Sequence, residues 1–532
     1  ITTRFSYSTS HGTNLTKPLS KASTYTITGG YNLSGMKELS FAPLGWAKTS
    51  LLPKSFTQTE FSLLPTGLNF NGTVKRTKTY SVDNVGNVTE SFVRDFTGSM
   101  NAQDSPIKGI PITYTMSTSR DISDPQTMKF SLSPKRAKLG IERSFSEAFR
   151  VSYKPKWFKF LTTNLSFDSK YRENSDRTDS YNQGGTRRVT NNNTRRADVT
   201  LHWQKLFGGG GGKGEKRGIT LNPLKLLAKL TERIDPVSGT YQTTRNFTRS
   251  GLLSRPPLSY RWGFTDKLKV ARTGTSQSGD RVTFTDTYNA NSGIRILRTK
   301  VRCAYSKSIG RTKTSTGDTK NTSTTFPDFD FTLSNVGKIW LLEKIIHNSS
   351  YKFDYNKKVD KSEKERTGEL INETTSEKFS HFLTFTHNWK GGAQTSLTIK
   401  RDYNNNWSLQ GVGQNRNATK SYRNTITLSN SYSFRAPHGI KIPLLRKIKF
   451  TSQLNLSLNI AITNDKQKRS VGGKGYNIVK DHSQLSIKTT SGYSFSKQVT
   501  GGFNATWLDS NDKITKRKRH TRELGIWLTL KF

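Results

Sequence analysis

The chain of 532 residues contains one cysteine, Cys303, and four methionines. A lone thiol permits no intrachain disulfide and no cysteine-based metal site, and it suits a small apolar wall position better than a reactive one. Long apolar runs are also missing. No stretch approaches the roughly 20 consecutive apolar residues that a membrane-spanning helix requires, so spanning by helices is excluded. Carboxylates are scarce, with 38 Asp and Glu against 85 Lys and Arg, a formal net charge of +47. The opening run, Ile1-Thr-Thr-Arg-Phe-Ser-Tyr, is strand-like and has no charged n-region, apolar h-region or cleavage site. A mature barrel begins in this way, and so does a fragment.

Motifs that carry chemistry are absent too. Five glycines run into Lys213, but a phosphate-binding loop needs Gly five positions before its Gly-Lys pair and Ser or Thr after it, where this chain has Phe207 and Gly214. The stretch reads as a flexible tether. His381 and His387 share a strand without forming a metal-ligand set, and read as wall residues. No Gly-x-Ser-x-Gly elbow and no paired acid and base stand out. The reading is therefore of a protein that is not an enzyme, with no catalytic, cofactor-binding or metal residues.

Aromatics, by contrast, are plentiful: 29 Phe, 19 Tyr and 9 Trp, or 11% of the chain. Apolar content of 31% and a mean hydropathy of −0.70 would suit a disordered chain, but disordered chains are poor in aromatics. A β-barrel in lipid reconciles the two, because only alternate residues face hydrocarbon while the others face water.

Strict period-two alternation recurs along the chain. Leu454, Leu456, Leu458, Ile460 and Ile462 share one face, opposite Asn455, Ser457, Asn459, Ala461 and Thr463. Leu485, Ile487, Thr489, Ser491, Tyr493 and Phe495 connect tightly to Val499, Gly501, Phe503, Ala505 and Trp507, which predicts a hairpin. Leu68 to Lys75 and Val301 to Ser306 repeat the pattern. About twenty such segments, long enough to cross a bilayer when tilted, predict an all-β fold: a large antiparallel transmembrane β-barrel, as one region over 1–532.

Four polar connections read as extracellular loops: Glu173 to Asn193, Thr312 to Thr325, Lys357 to Ser376 and Asn464 to Lys480. Three others are apolar and Pro-punctuated: Leu44 to Pro53, Asn222 to Pro236 and Pro437 to Ile448. Asn222 as cap, Pro223 at the first helical position, and Leu226, Leu227, Leu230 and Ile234 at helical spacing predict a short amphipathic helix over 222–234. A second is expected over 336–346. Both would lie in the membrane interface, plug part of the lumen or dock a partner.

Nucleic-acid binding would gather Lys and Arg with exposed aromatics in one module, whereas here the aromatics occupy the apolar phase of the strands, so no nucleic-acid partner is expected. The basic residues read instead as lining a wide aqueous lumen and its rims. At the C-terminus Leu524, Ile526, Leu528, Leu530 and Phe532 alternate with Gly525, Trp527, Thr529 and Lys531. Outer-membrane barrels commonly end on such a strand, which is what the barrel-insertion machinery recognises.

Several segments together resemble the C-terminal region of the SprA/Sov family, the outer-membrane translocon of the type IX secretion system. They are Leu51-Leu-Pro-Lys-Ser-Phe with Glu60-Phe-Ser-Leu-Leu-Pro-Thr-Gly-Leu-Asn-Phe, and Phe149-Arg-Val-Ser-Tyr-Lys-Pro-Lys-Trp-Phe-Lys-Phe-Leu. Leu230-Thr-Glu-Arg-Ile-Asp-Pro-Val, Leu253-Ser-Arg-Pro-Pro, Ser433-Phe-Arg-Ala-Pro-His-Gly-Ile-Lys-Ile-Pro and the terminal strand complete them, over roughly 45–532. The resemblance implies a C-terminal fragment of a longer chain and of a larger barrel. It implies a very wide pore that exports folded cargo proteins, with a plug and a PorV-type barrel as partners, and a place at the cell surface serving secretion or gliding motility. Other readings remain: a lipopolysaccharide-transport or receptor-type barrel, or an adhesive or structural outer-membrane protein. Outer-membrane lipid is a partner in all of them.

Overall fold

The computed structural model describes residues 2–12, 19–34, 40–41, 61–62, 67–83, 85–107, 110–123, 128–129, 138–155, 158–175, 186–206, 233–273, 279–315, 317–335, 344, 346–410, 415–440, 448–495 and 498–530. In chain order the strands are β1 (Thr2–Gly12), β2 (Leu19–Ser34), β3 (Ser40–Phe41), β4 (Phe61–Ser62), β5 (Gly67–Val82), β6 (Val88–Ile107), β7 (Ile110–Asp121), β8 (Met128–Lys129), β9 (Lys138–Leu139), β10 (Ile141–Tyr153), β11 (Leu161–Ser175) and β12 (Arg187–Leu201). They continue as β13 (Val237–Leu252), β14 (Arg281–Ile296), β15 (Thr299–Thr314), β16 (Gly317–Ser334), β17 (Ile346–Lys364), β18 (Leu370–Trp389), β19 (Ala393–Gln410), β20 (Asn415–Ile440), β21 (Ile448–Ser470), β22 (Asn477–Ser494), β23 (Val499–Asp512) and β24 (Arg517–Leu530).

Four of these, β3, β4, β8 and β9, are two-residue pieces. Every other strand pairs antiparallel with the next long one, so a single meander runs from β1 to β24, with β3 and β4 attached as part of a 22-stranded sheet. Among the described residues no pairing joins β1 to β24. This is the large antiparallel β-wall that alternation predicts. No described helix is long and apolar enough to cross a membrane.

Register carries one apolar phase across the whole wall. Leu524, Ile526 and Leu528 pair with Ala505, Phe503 and Gly501, and these with Thr489, Ser491 and Tyr493. The same face continues through Leu458 and Ile460, then Leu428 and Leu397, to Tyr351 and Phe385. Further back it includes Val301, Ile294, Tyr288 and Tyr241, and ends on Phe70, Tyr31, Tyr25 and Tyr7. On β24 the exposures of Leu524, Ile526, Leu528 and Leu530 are 77%, 85%, 62% and 52%. Large aliphatic side chains bared in a row belong in hydrocarbon, and paired aromatics such as Tyr241–Tyr288 and Tyr403–Tyr422 stand where membrane-interface rings belong. The protein is a transmembrane β-wall of the bacterial outer membrane.

In a meander the connections alternate between two ends. The four connections read as polar loops all fall at one end, here the tip end; the three apolar, Pro-punctuated ones and 336–346 all fall at the other, the root end. The polar segments are, however, far shorter as loops than their composition suggests. Thr312 to Thr325 is mostly hairpin, with Thr314 paired to Gly317; β17 and β18 run on to Lys364 and from Leu370; β21 and β22 run on to Ser470 and from Asn477; and β11 and β12 pair as far as Ser175 and Arg187. Cross-strand ion pairs hold these extensions, among them Lys320–Glu363 at 3.1 Å, Lys357–Glu377 at 3.2 Å and Arg423–Asp465 at 2.8 Å. Above the bilayer both faces of a strand are wet, so polar residues on both faces are compatible with strand and do not signal a loop.

The helix expected over 222–234 and the glycine tether lie outside the described residues up to 232, where Ile234 then bridges to Ile294. The helix expected over 336–346 likewise falls outside them except at Lys344 and at Ile346, which opens β17.

Amide hydrogen exchange distinguishes the extended hairpins from loops. Amides of 359–364 and 370–375 should be as protected as mid-strand amides of β17 and β18, with fast exchange confined to 365–369. Uniformly fast exchange from 357 to 376 would restore the loop.

Candidate functional site

Three features of the wall bear on function: its inner face, its last strand and a strap folded onto it. The inner face is the phase opposite the lipid face. It is a carpet of hydroxyl and amide side chains that bond one another across strands, including Thr28–Thr73 at 3.1 Å, Ser117–Ser146 at 2.7 Å, Asn406–Thr374 at 3.0 Å and Asn459–Ser429 at 2.8 Å. Basic side chains share this phase: Lys75, Lys170, Arg172, Lys352, Lys400 and Lys488 all lie on it. Such cations as occur there are often paired in place, as Arg196 is with Asp198 at 2.8 Å.

A cleft of about 590 Å³ lies on the inner face between β5 and β12. Asn69, Asn71, Asn101 and Asn192 line it with Lys170 and Arg172. Cys303 faces Ser292 and Phe329 in the wall. His381 bonds Asp354 at 2.5 Å, and His387 stacks beside Phe385, so both histidines are wall residues.

The predicted insertion strand is β24. Leu524, Ile526, Leu528 and Leu530 lie together on its lipid phase, while Phe532 falls outside the described residues.

Sequence reading missed the strap, the segment 253–273 between β13 and β14. It leaves β13, makes one helical turn over Leu258–Arg261, and returns as Leu252 bridges Arg272. It packs on the lipid-side phase of β10 to β13, at the tip end. Trp262 stacks on Phe149 at 4.7 Å and 5°, Phe264 on Phe167 at 5.8 Å, and Tyr260 joins Phe145, Tyr171, Val189 and Leu252 in a cluster of buried apolar residues. Gly263 makes the closest approach. Its φ is +75°, and a Cβ there would sit 2.1 Å from Asn193 Oδ1, so both conformation and space demand glycine.

Charge fixes the strap. Arg255 donates to Glu173 at 3.0 Å and to Glu142, and its guanidinium lies 3.7 Å over the Phe145 ring. Arg187 also reaches Glu173, whose other donor is the Tyr171 hydroxyl at 2.7 Å. Beside them Arg261 pairs with Glu147 at 3.0 Å, and Tyr114 donates to that carboxylate at 2.7 Å. Glu173 and Glu147 are 2% and 4% exposed, so their charges are paired inside the packing rather than solvated by water. Asn191 and Ser169 donate to the strap carbonyls of Tyr260 and Arg261. Burial pushes the Tyr260 phenol up to about 12.

At the far end Arg272 and Arg249 converge on Asp280 at 2.7 and 2.9 Å. Burial works against the Asp280 carboxylate, but hydrogen bonds from Arg272, Arg249 and the Ser250 N–H outweigh it and hold its pKa below the usual carboxylate range.

No protein-family model matches this chain, and no curated protein matches it. Among solved structures, the siderophore receptor PirA from Pseudomonas aeruginosa aligns over 100% of this chain and 79% of its own, at 10% identity and a TM-score of 0.30. The ferric enterobactin receptor PfeA from the same organism, in complex with enterobactin, aligns over 100% and 81%, at 9% identity and 0.27. Likeness at that level says nothing of this chain's ligand or partner.

Two outcomes follow for the strap. Arg255→Ala leaves Glu173 with Arg187 and the Tyr171 hydroxyl, and Glu142 with Arg120 at 2.6 Å, and should weaken docking by about 3 kcal/mol, the lower end of the cost of breaking a buried ion pair. Trp262 emission, taken as the difference from a Trp262→Phe control, should shift to the red. Acid should act through Asp280. A carboxylate whose folded pKa is depressed stabilises fully above its unfolded value of about 4, and that contribution is lost as pH falls through the lower folded value. Docking should therefore be level from pH 7 to 5 and fall below about 4, and Asp280→Asn should be weaker at neutral pH with less of that acid response.

Proposed function

We propose that this wall is part of an outer-membrane channel that exports folded proteins, in the manner of a type IX secretion translocon. One observation carries the reading: the inner face is rich in Ser, Thr and Asn, many of whose polar groups bond each other across strands. Conduction needs contacts weak and numerous enough that cargo enters and leaves. Side chains that satisfy one another across strands offer a passing protein few strong acceptors, and the scarcity of inward aromatics removes the usual anchors of a binding site. The tip end is then the extracellular side, with short, ion-paired hairpins at the exit. Energy comes from elsewhere, and no catalytic chemistry is assigned. A plug and a PorV-type partner remain expectations of the resemblance to the SprA/Sov family.

A second reading, a receptor-type barrel that holds a small ligand, rests on the asparagine-lined cleft with Lys170 and Arg172. Deleting the gene separates the two. Under the export reading, secreted cargo with the C-terminal sorting domain accumulates in the periplasm and uptake of small chelates is unchanged. Normal secretion with loss of an uptake activity would overturn export in favour of the receptor.

A further inference from the structure

The cation–aromatic contacts among the described residues fall mostly on rings of the lipid phase of the wall, with Tyr476 just before β22. Two belong to the strap on Phe145; the rest recur along the whole wall. Arg76 and Arg94 flank Phe92, Arg195 lies over Phe167 and Arg245 over Phe284. Arg401 lies over Phe382, Arg416 over Trp407, Lys420 over Tyr476 and Arg522 over Trp507. In each strand the cation lies on the tip side of the apolar stretch: Arg522 follows Leu524, Arg401 follows Ile399, and Arg76 follows Val74 in that direction. A ring braced under a cation at the edge of a hydrocarbon band keeps the charge at headgroup depth, while its stem covers apolar surface.

The best-formed part of this belt is a cleft of about 370 Å³ between β21 and β24. Ile462 and Leu485 form its root side, and Ser483, Asn511, Lys518 and His520 its tip side. Asp509 also lines it, but Arg522 at 2.8 Å offsets its charge and the His520 ring bonds it at 2.7 Å. Lys518 has no ion-pair partner among the described residues and adds an uncompensated charge. An apolar floor beneath hydroxyl, amide and ammonium groups matches an amphiphile with acyl chains below and an anionic head above.

We propose that the belt binds the phosphorylated headgroups of an anionic glycolipid in the leaflet at the tip end, with the β21–β24 cleft as its clearest seat. Short-range attraction of juxtamembrane cations to anionic lipid supplies the affinity. The proposal rests on the wall's placement in lipid, not on the export reading, and stands or falls separately from it.

Retention of lipid by the full chain, purified in mild detergent and reconstituted in phosphatidylcholine vesicles, tests it. Diphosphorylated lipid A and the same lipid with its phosphates removed are offered in parallel, with inorganic phosphate as competitor. The phosphorylated form should be retained about tenfold better, and Lys518→Gln with Arg522→Gln should lose much of that preference while Lys518→Arg keeps it. Equal retention of the two lipids overturns the proposal, and this comparison on the unaltered protein holds even if the double variant fails to fold. Displacement by inorganic phosphate would make the belt a free-anion site and overturn the lipid assignment. An unchanged preference in a folded double variant would remove the β21–β24 cleft as the seat.

Discussion

Hydrocarbon offers no partner to a peptide N–H or C=O, so every strand of this wall depends on its neighbours for its backbone hydrogen bonds. The antiparallel meander meets that demand with short connections, since each strand lies beside the one that follows it in the chain. Period-two patterning then becomes two independent surfaces. One can be aliphatic and aromatic while the other is hydroxyl and amide, and neither has to bury anything against a second layer. This separation explains how a chain of mean hydropathy −0.70 spans a membrane.

A wall one residue thick has little interior, which makes the strap's cluster of Phe145, Tyr171, Val189, Leu252 and Tyr260 conspicuous. It forms where strands β10 to β13 rise above the aromatic border and their lipid phase would otherwise face water. The strap covers those rings, and the half-buried Glu142 with the buried Glu147 and Glu173 holds its arginines. Elsewhere along the same border the strands carry cations on their own rings, which a headgroup layer can solvate. Both arrangements answer the same question of what an outward aromatic does at the edge of the hydrocarbon.

How much of the site was legible differs from element to element. Leu524, Ile526, Leu528 and Leu530 announce a lipid-facing strand by spacing alone, and the structure places them on one bared phase. The strap was not legible because its contacts join residues far apart in the chain: Arg255 meets Glu142 across 113 residues. A signal did exist. Carboxylates are scarce in this sequence, and Glu147 and Glu173 sit in the same phase as Phe149 and Tyr171, where an ionised group needs a partner brought from elsewhere. The loops at Thr312 to Thr325 and Asn464 to Lys480 were misread for a related reason. Polar composition separates wet from lipid-exposed residues, not strand from loop, and a hairpin above the bilayer is wet on both sides.

The sequence by itself determined the wall. Alternation set which residues face lipid, the number of segments set its breadth at about twenty strands, and the absence of long apolar runs excluded helices. These follow from local periodicity, which every residue reports through its immediate neighbours. Only the tertiary structure decided where strands end, which register aligns the apolar phase from Tyr7 to Leu530, and how 253–273 folds onto the rings of four other strands. Those depend on pairings between distant segments, whose free energy no single stretch of sequence contains.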